Sequence, residues 1–226
     1  VSTQMESGKS VTGLFDFQQN STTQRVFATM NNAGDTNLQL FAKTPAGAWA
    51  NIVVGATWDA FENAAVEMEQ FIGYCFFVGY DSVQAVFLPV ASVTGTTFST
   101  ATNVTNMPTG KYIKRYRDRL YVANTRSAGT NFPYRVYFSS VPSAGAITWT
   151  VATDFVDFDF GLDITGIESN WDRLIVFTRY NTWLYDQSSR KKVWDFGCSN
   201  HRTIKSFGSY TIWCTGHDVA VSTGGQ

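Results

Sequence analysis

One phrase recurs along this chain: an alternating apolar strand, a tight polar turn, then a hydrophobic strand ending in a small or polar residue. Two copies stand out, Tyr112-Ile-Lys-Arg-Tyr-Arg-Asp118-Arg-Leu-Tyr-Val-Ala-Asn124 and Ile164-Thr-Gly-Ile-Glu-Ser-Asn-Trp-Asp172-Arg-Leu-Ile-Val-Phe-Thr178. Ile204–Thr215 and Val66–Gly79 repeat it, and Gly13–Phe17 followed by Arg25–Thr29 is a fainter form with a longer turn. Aligned on Gly73, Asp118, Asp172 and Gly208, the turns are 45, 54 and 36 residues apart, a mean of 45. A third strand follows each copy: Leu38–Phe41, Val83–Phe87, Tyr134–Phe138, Thr182–Tyr185 and Val219–Val221. An aromatic-bearing fourth strand is expected in most: Pro45–Trp49, Thr94–Phe98, the hairpin Ser143–Trp149 and Lys192–Trp194.

Four short antiparallel strands per 45 residues is the pattern of a β-propeller blade. One such sheet cannot cover its own apolar faces, so blades must stack to bury them. Composition agrees. The 226 residues include 21 Val, 27 Thr and 35 aromatics, against only 8 Leu, 7 Lys and 5 Glu. Strand formers outnumber helix formers, and the expected fold is all-β, a β-propeller of about five visible blades. The blades fall at about 10–56, 64–105, 110–160, 162–197 and 200–226 of a single propeller region, the last lacking its fourth strand. Either Val1–Ser7 supplies that strand, or the chain belongs to a larger propeller; the absence of an initiator Met fits a processed or partial product. One segment departs from the pattern: Trp58, Phe61, Ala65 and Met68 recur at helical spacing, which predicts a short helix between the first two blades.

Composition excludes several classes. The chain has no run of 18 apolar residues, so no transmembrane helix and no membrane insertion are expected. Cys75, Cys198 and Cys214 are odd in number and follow no metal spacing, against a disulfide framework or zinc site. The net charge of −1 hides an asymmetry: residues 1–110 carry 3 basic and 8 acidic side chains, residues 111–226 carry 14 and 10. Any contact with a polyanion belongs to the second half.

No nucleophile elbow, Walker loop or dinucleotide-binding glycine motif is present, and no cofactor is expected. The two histidines read as structural: His201 at the start of an inner strand, His217 at a strand end beside Asp218. Asp154, Asp157, Asp159 and Asp163 bunch four carboxylates, with Asp157 and Asp159 on one strand face. A hard cation could use such oxygens, but no calcium-loop spacing appears, and a solvated edge strand is the simpler reading. The Ser143–Trp149 hairpin is similar to the aspartate-box turn of sialidases but lacks its aspartate. A sialidase would also need arginines to converge, and Arg115, Arg117, Arg119, Arg173 and Arg179 are the candidates. The most suggestive segment is basic: Lys111, Lys114, Arg115, Arg117 and Arg119, interleaved with Tyr112 and Tyr116. On one strand Arg115, Arg117 and Arg119 would share a face, with Lys114 and Tyr116 opposite. They would offer cations to DNA phosphates or to a neighbouring subunit. The bland alternative pairs Arg119 and Arg173 with the preceding turn aspartates and leaves the rest solvated.

Lys111–Asn124, Arg135–Ser140, Ala146–Trp149 and Ile164–Phe177 resemble the propeller-forming tail proteins of short-tailed bacteriophages, of the nozzle (tail tubular B) and tail hub families. The resemblance covers residues 111–196 well and the rest as architecture. It implies a non-enzymatic structural virion protein, a subunit of a ring around the channel through which DNA leaves. Its partners would be copies of itself and other tail or connector proteins, with transient, non-specific contact with viral DNA. The platform-like regions of full-length members are absent. A secreted carbohydrate-binding or sialidase-like propeller is the alternative.

Overall fold

The computed structural model describes residues 10–18, 24–31, 38–44, 46–52, 58, 61, 64–88, 90–94, 102–170 and 172–223. Among the described residues, twenty strands form five separate antiparallel sheets in chain order; consecutive strands are neighbours in four of them, and in the second β7 and β8 both pair with β6. Sheet 1 holds β1 (Ser10–Gln18), β2 (Gln24–Asn31), β3 (Leu38–Lys43) and β4 (Trp49–Ile52). Sheet 2 holds β5 (Ala64–Phe71), β6 (Tyr74–Asp81), β7 (Val86–Phe87), β8 (Ala91–Thr94) and β9 (Thr102–Asn103). Sheet 3 follows with β10 (Thr109–Tyr116), β11 (Arg119–Ser127), β12 (Thr130–Phe138) and β13 (Phe155–Asp157). Sheet 4 is β14 (Ile164–Asn170), β15 (Arg173–Thr178), β16 (Thr182–Tyr185) and β17 (Arg190–Trp194). Sheet 5 is β18 (Lys205–Phe207), β19 (Tyr210–Cys214) and β20 (Val219–Thr223), preceded by one 3₁₀ turn, His201–Thr203.

The turn chemistry explains the hairpins. Ile72 and Gly73 (φ 46° and 80°) and Ala128 and Gly129 (φ 48° and 83°) both take left-handed backbone, as a two-residue type I′ connection requires. The twist of such turns matches that of the strands they join.

Two compact units divide the chain, Val1–Lys111 and Tyr112–Gln226. In the first, sheets 1 and 2 bury one cluster between them, with Phe17, Phe27, Leu40, Val66, Cys75 and Phe77 at its centre. In the second, sheets 3 and 4 close over Tyr121, Ala123, Ile167, Leu174 and Val176. Sheets 4 and 5 close over Ile175, Phe177, Leu184, Ile204 and Trp213. Sheet 4 is therefore covered on both faces. Its strand β15 reads as a continuous apolar run for that reason, buried from Leu174 to Thr178.

Three expectations require correction. The helix predicted from Trp58 to Met68 is not there: Ala64–Phe71 is strand β5, paired along its length with β6. Alternation wins over helical spacing, because Ala64 and Val66 face the core while Ala65 is exposed. Trp58, Phe61 and Met68 do share that core, which is what mimicked a helical stripe. The fourth strand of sheet 3 is Phe155–Asp157, not Ala146–Trp149. Ser143 and Ala146 form only an isolated bridge around the Ala144-Gly145 turn. The third strand of sheet 2 does not run from Val83. Asp81 accepts the N–H groups of Val83 and Gln84 (2.9 and 3.0 Å), and the turn it holds delays the strand to Val86.

Pro45, Thr96–Phe98 and Val1–Ser7 lie outside the described residues, so Thr94–Phe98 and the proposed closing strand are not placed. β4 and β17 do sit at the predicted fourth-strand positions of sheets 1 and 4. Among the described residues, sheet 5 has three strands.

Candidate functional site

The basic segment spans the hairpin of β10 and β11, and the hairpin decides what each cation touches. Lys111 lies over the Tyr80 ring, 4.1 Å from its centroid. Lys114 reaches from sheet 3 to Glu168 on β14, Nζ to Oε1 2.8 Å, and Glu168 is nearly buried. Beside it the Tyr116 hydroxyl donates to the Asp172 carbonyl, and burial pushes that hydroxyl above its ordinary pKa.

Arg117 does not continue the strand face. It occupies the turn with φ 50°, so the expected row of Arg115, Arg117 and Arg119 is broken at its middle member. Its guanidinium donates to the carbonyls of Asp172 and Asp186, at 3.3 and 3.4 Å, across to sheet 4. Arg119 turns onto its own sheet, donating to the Ser139 carbonyl at 2.7 Å with its guanidinium over Phe138. Arg115 Nε donates to the Arg117 carbonyl at 3.4 Å.

The expected pairing of arginine with the preceding aspartate holds for one of the two. Arg173 meets Asp172 at 3.7 Å and Asp186 at 3.3 Å. Asp118 instead accepts from Gln187 (3.2 Å), whose amide also donates to the Tyr121 hydroxyl (3.1 Å). Asp186 anchors the turn opposite. The hydroxyl and N–H of Ser188, and those of Ser189, converge on it and hold its carboxyl well below the usual carboxylate range. The result is a polar clasp joining the turns of sheets 3 and 4, in which donors and acceptors answer one another. Because Glu168 is nearly buried, Lys114→Ala is expected to cost about 2 kcal/mol, whereas exposed Arg115→Ala stays within about 0.5 kcal/mol. Urea denaturation of the two variants checks the contrast.

The acidic cluster is dispersed by structure. Asp157 is held by Arg135 through two parallel bonds, 2.6 and 2.9 Å, rather than solvated. The Arg135 guanidinium also lies over Phe155 (3.6 Å) and Phe132 (4.2 Å), and the Asp157 hydrogen bonds raise its pKa. Asp159 accepts from the Asn181 amide, and Asp154 from Thr153 Oγ1. Asp163 sits just before β14. No group of three or more His, Cys, Asp or Glu that could hold a metal occurs among the described residues.

His201 belongs to the 3₁₀ turn, not to an inner strand, with its ring 4.6 Å from that of Tyr112. His217 lies in the turn between β19 and β20, where it lines a shallow cleft of about 480 Å³ with Ser199, Cys214, Gly216, Asp218 and Val219. The sequence reading missed this cleft. Its only signal was the closeness of Cys214, His217 and Asp218 around a turn. Arg173 and Arg179 stand at opposite ends of β15, roughly 20 Å apart at 3.3 Å per residue. They do not converge as a carboxylate-binding cluster.

No family model matches this chain, and no curated protein matches it. Solved structures do. The AfRom2 CNH domain, a β-propeller, superposes with a TM-score of 0.52 at 6% identity, over 100% of this chain and 72% of that one. Kluyveromyces lactis Hsv2 is similar over 96% of this chain and 75% of its own, with a TM-score of 0.42 and 9% identity. The expected fold class is therefore correct: the chain is all-β and a β-propeller.

Proposed function

We propose that this chain is a structural subunit of a bacteriophage tail, of nozzle or hub type, assembled with copies of itself and with other tail or connector proteins in the virion. The observation that carries the reading is the state of the basic hairpin, where the phage-like phrases lie. Lys114, Arg117 and Arg119 tie sheets and turns together at 2.7–3.4 Å, spending these cations on contacts within the protein. Blades held in this way suit a load-bearing wall. A wall around exiting DNA also has to let it slide, and the two exposed cations of the segment, Arg115 and Arg117, are already hydrogen-bonded to backbone carbonyls. DNA contact is then sparse, non-specific and weakened by salt.

Mass spectrometry of purified particles tests the proposal. The chain should be present in a fixed, small integer ratio to the other tail proteins. Its absence from particles would overturn it.

The carbohydrate-binding alternative has one observation in its favour. Phe160 is 82% exposed, with its ring centroid 4.5 Å from that of Tyr134 and tilted 42° to it, and an exposed aromatic face is a surface that sugars stack on. Glycan-array binding abolished by Phe160→Ala would favour it over the tail reading.

A further inference from the structure

Among the described residues of the second unit, nothing covers one face of sheet 5, and the register of the repeats identifies which face it is. On β19, Thr211 and Trp213 point toward sheet 4 and are buried, whereas Tyr210 and Ile212 point away and are exposed. The pairing places Phe207 opposite Tyr210, Val221 opposite Ile212 and Val219 opposite Cys214, so all six share that outward face. Phe207 is 81% exposed, Val219 64% and Val221 56%.

Aligned on the hairpin turns, Ile212 corresponds to Ile175 of sheet 4 and Tyr121 of sheet 3, and Val221 corresponds to Leu184. Those counterparts are buried. Tyr121 is covered by sheet 4, and Ile175 and Leu184 are covered by sheet 5. The outward face of sheet 5 is thus built like two faces that each receive a further sheet. An apolar patch of this kind in a row of repeats marks an interaction surface.

Charge favours one occupant. Lys205 lies opposite Ile212 and is exposed on the same face, and residues 112–226 carry 13 basic and 10 acidic side chains. Residues 1–111 carry 4 basic and 8 acidic. We infer that this face docks the acidic N-terminal unit of a second copy of the chain, a head-to-tail contact. A two-fold contact of the face with itself would oppose the same cation-bearing surfaces, and complementary charge disfavours that arrangement. The inference deepens the assembly reading proposed above and rests on it.

Sedimentation velocity of the purified chain across a wide concentration range is the test. Wild type should associate reversibly, and the double variant Ile212→Lys with Val221→Lys should weaken that association about tenfold or more. Arg190→Glu, on another sheet, should leave association unchanged. Circular dichroism and melting temperature show whether the lysine variant is folded. Should it unfold, carbene footprinting of wild type replaces it, and labelling of β19 and β20 should fall as concentration rises. A wild type monomeric throughout, or association untouched by the folded lysine variant, overturns the inference. So does a monomer with the face protected at every dilution, which would mean that it is covered within one polypeptide. Chain present in particles with no association through this face would leave the tail reading standing and remove this one alone.

Discussion

Gly197→Ala should be the most damaging single-methyl change in the described part of the chain, costing about 3 kcal/mol or more and lowering the melting temperature by roughly 10 °C. A Cβ at this position would lie 1.8 Å from the Thr178 carbonyl oxygen and within 3 Å of the Thr178 and Arg179 carbonyl carbons. These are backbone atoms at the end of β15 and cannot rotate away. The same carbonyl accepts the Cys198 N–H at 3.0 Å, and the Gly197 carbonyl accepts Trp213 Nε1–H at 3.2 Å. Pushing the segment outward would strain both bonds and disturb Trp213, which is buried between sheets 4 and 5. Thermal melting followed by near-ultraviolet circular dichroism checks this, because Trp213, Trp194 and Phe196 form a stacked aromatic group there. A shift under 2 °C would show that the close approach of the two segments is wrong.

Phe77→Ala should cost about 4 kcal/mol, through the first unit. Phe77 is fully buried on β6 and meets Phe15, Phe27 and Trp58 edge-on, with ring centroids 6.3, 5.5 and 6.3 Å away. Removing the ring opens a cavity and deletes three aromatic contacts, each worth about 0.5–1.5 kcal/mol beyond its buried area. Phe77→Leu, which keeps most of the volume, should cost roughly half as much. Urea denaturation of both variants measures the gradation. Equal and small effects would mean that sheets 1 and 2 do not share this core.

The hairpins were legible because their determinants are local. Ile72-Gly73 and Arg117-Asp118 sit between alternating strands, and each turn with its two flanking strands lies within one short stretch, Ala64–Asp81 and Thr109–Ser127. Which face of β19 is buried was not legible, since Thr211 and Trp213 are buried while the apolar Ile212 is exposed. What was not legible depended on partners far along the chain. Two aromatic segments competed to be the fourth strand of sheet 3, and β13 carries Asp157, the partner of Arg135 twenty-two positions away. The row of arginines failed for a similar reason. Arg117 takes the turn, and its acceptors on Asp172 and Asp186 are 55 and 69 residues distant. Nothing in the spacing of cations reveals whether their acceptors are phosphates outside the molecule or carbonyls within it. The helical stripe from Trp58 to Met68 shows the complementary error, in which residues that do share a core mimic the period of a different element.

The central proposal is that these blades are building material for a virion. Cryo-electron microscopy of purified particles is its most direct test. The account predicts density for the five sheets, in their sequential meander order, repeated around the axial channel of the tail. Particles whose tail density is fully explained by other chains, with this protein found only free of them, would contradict it.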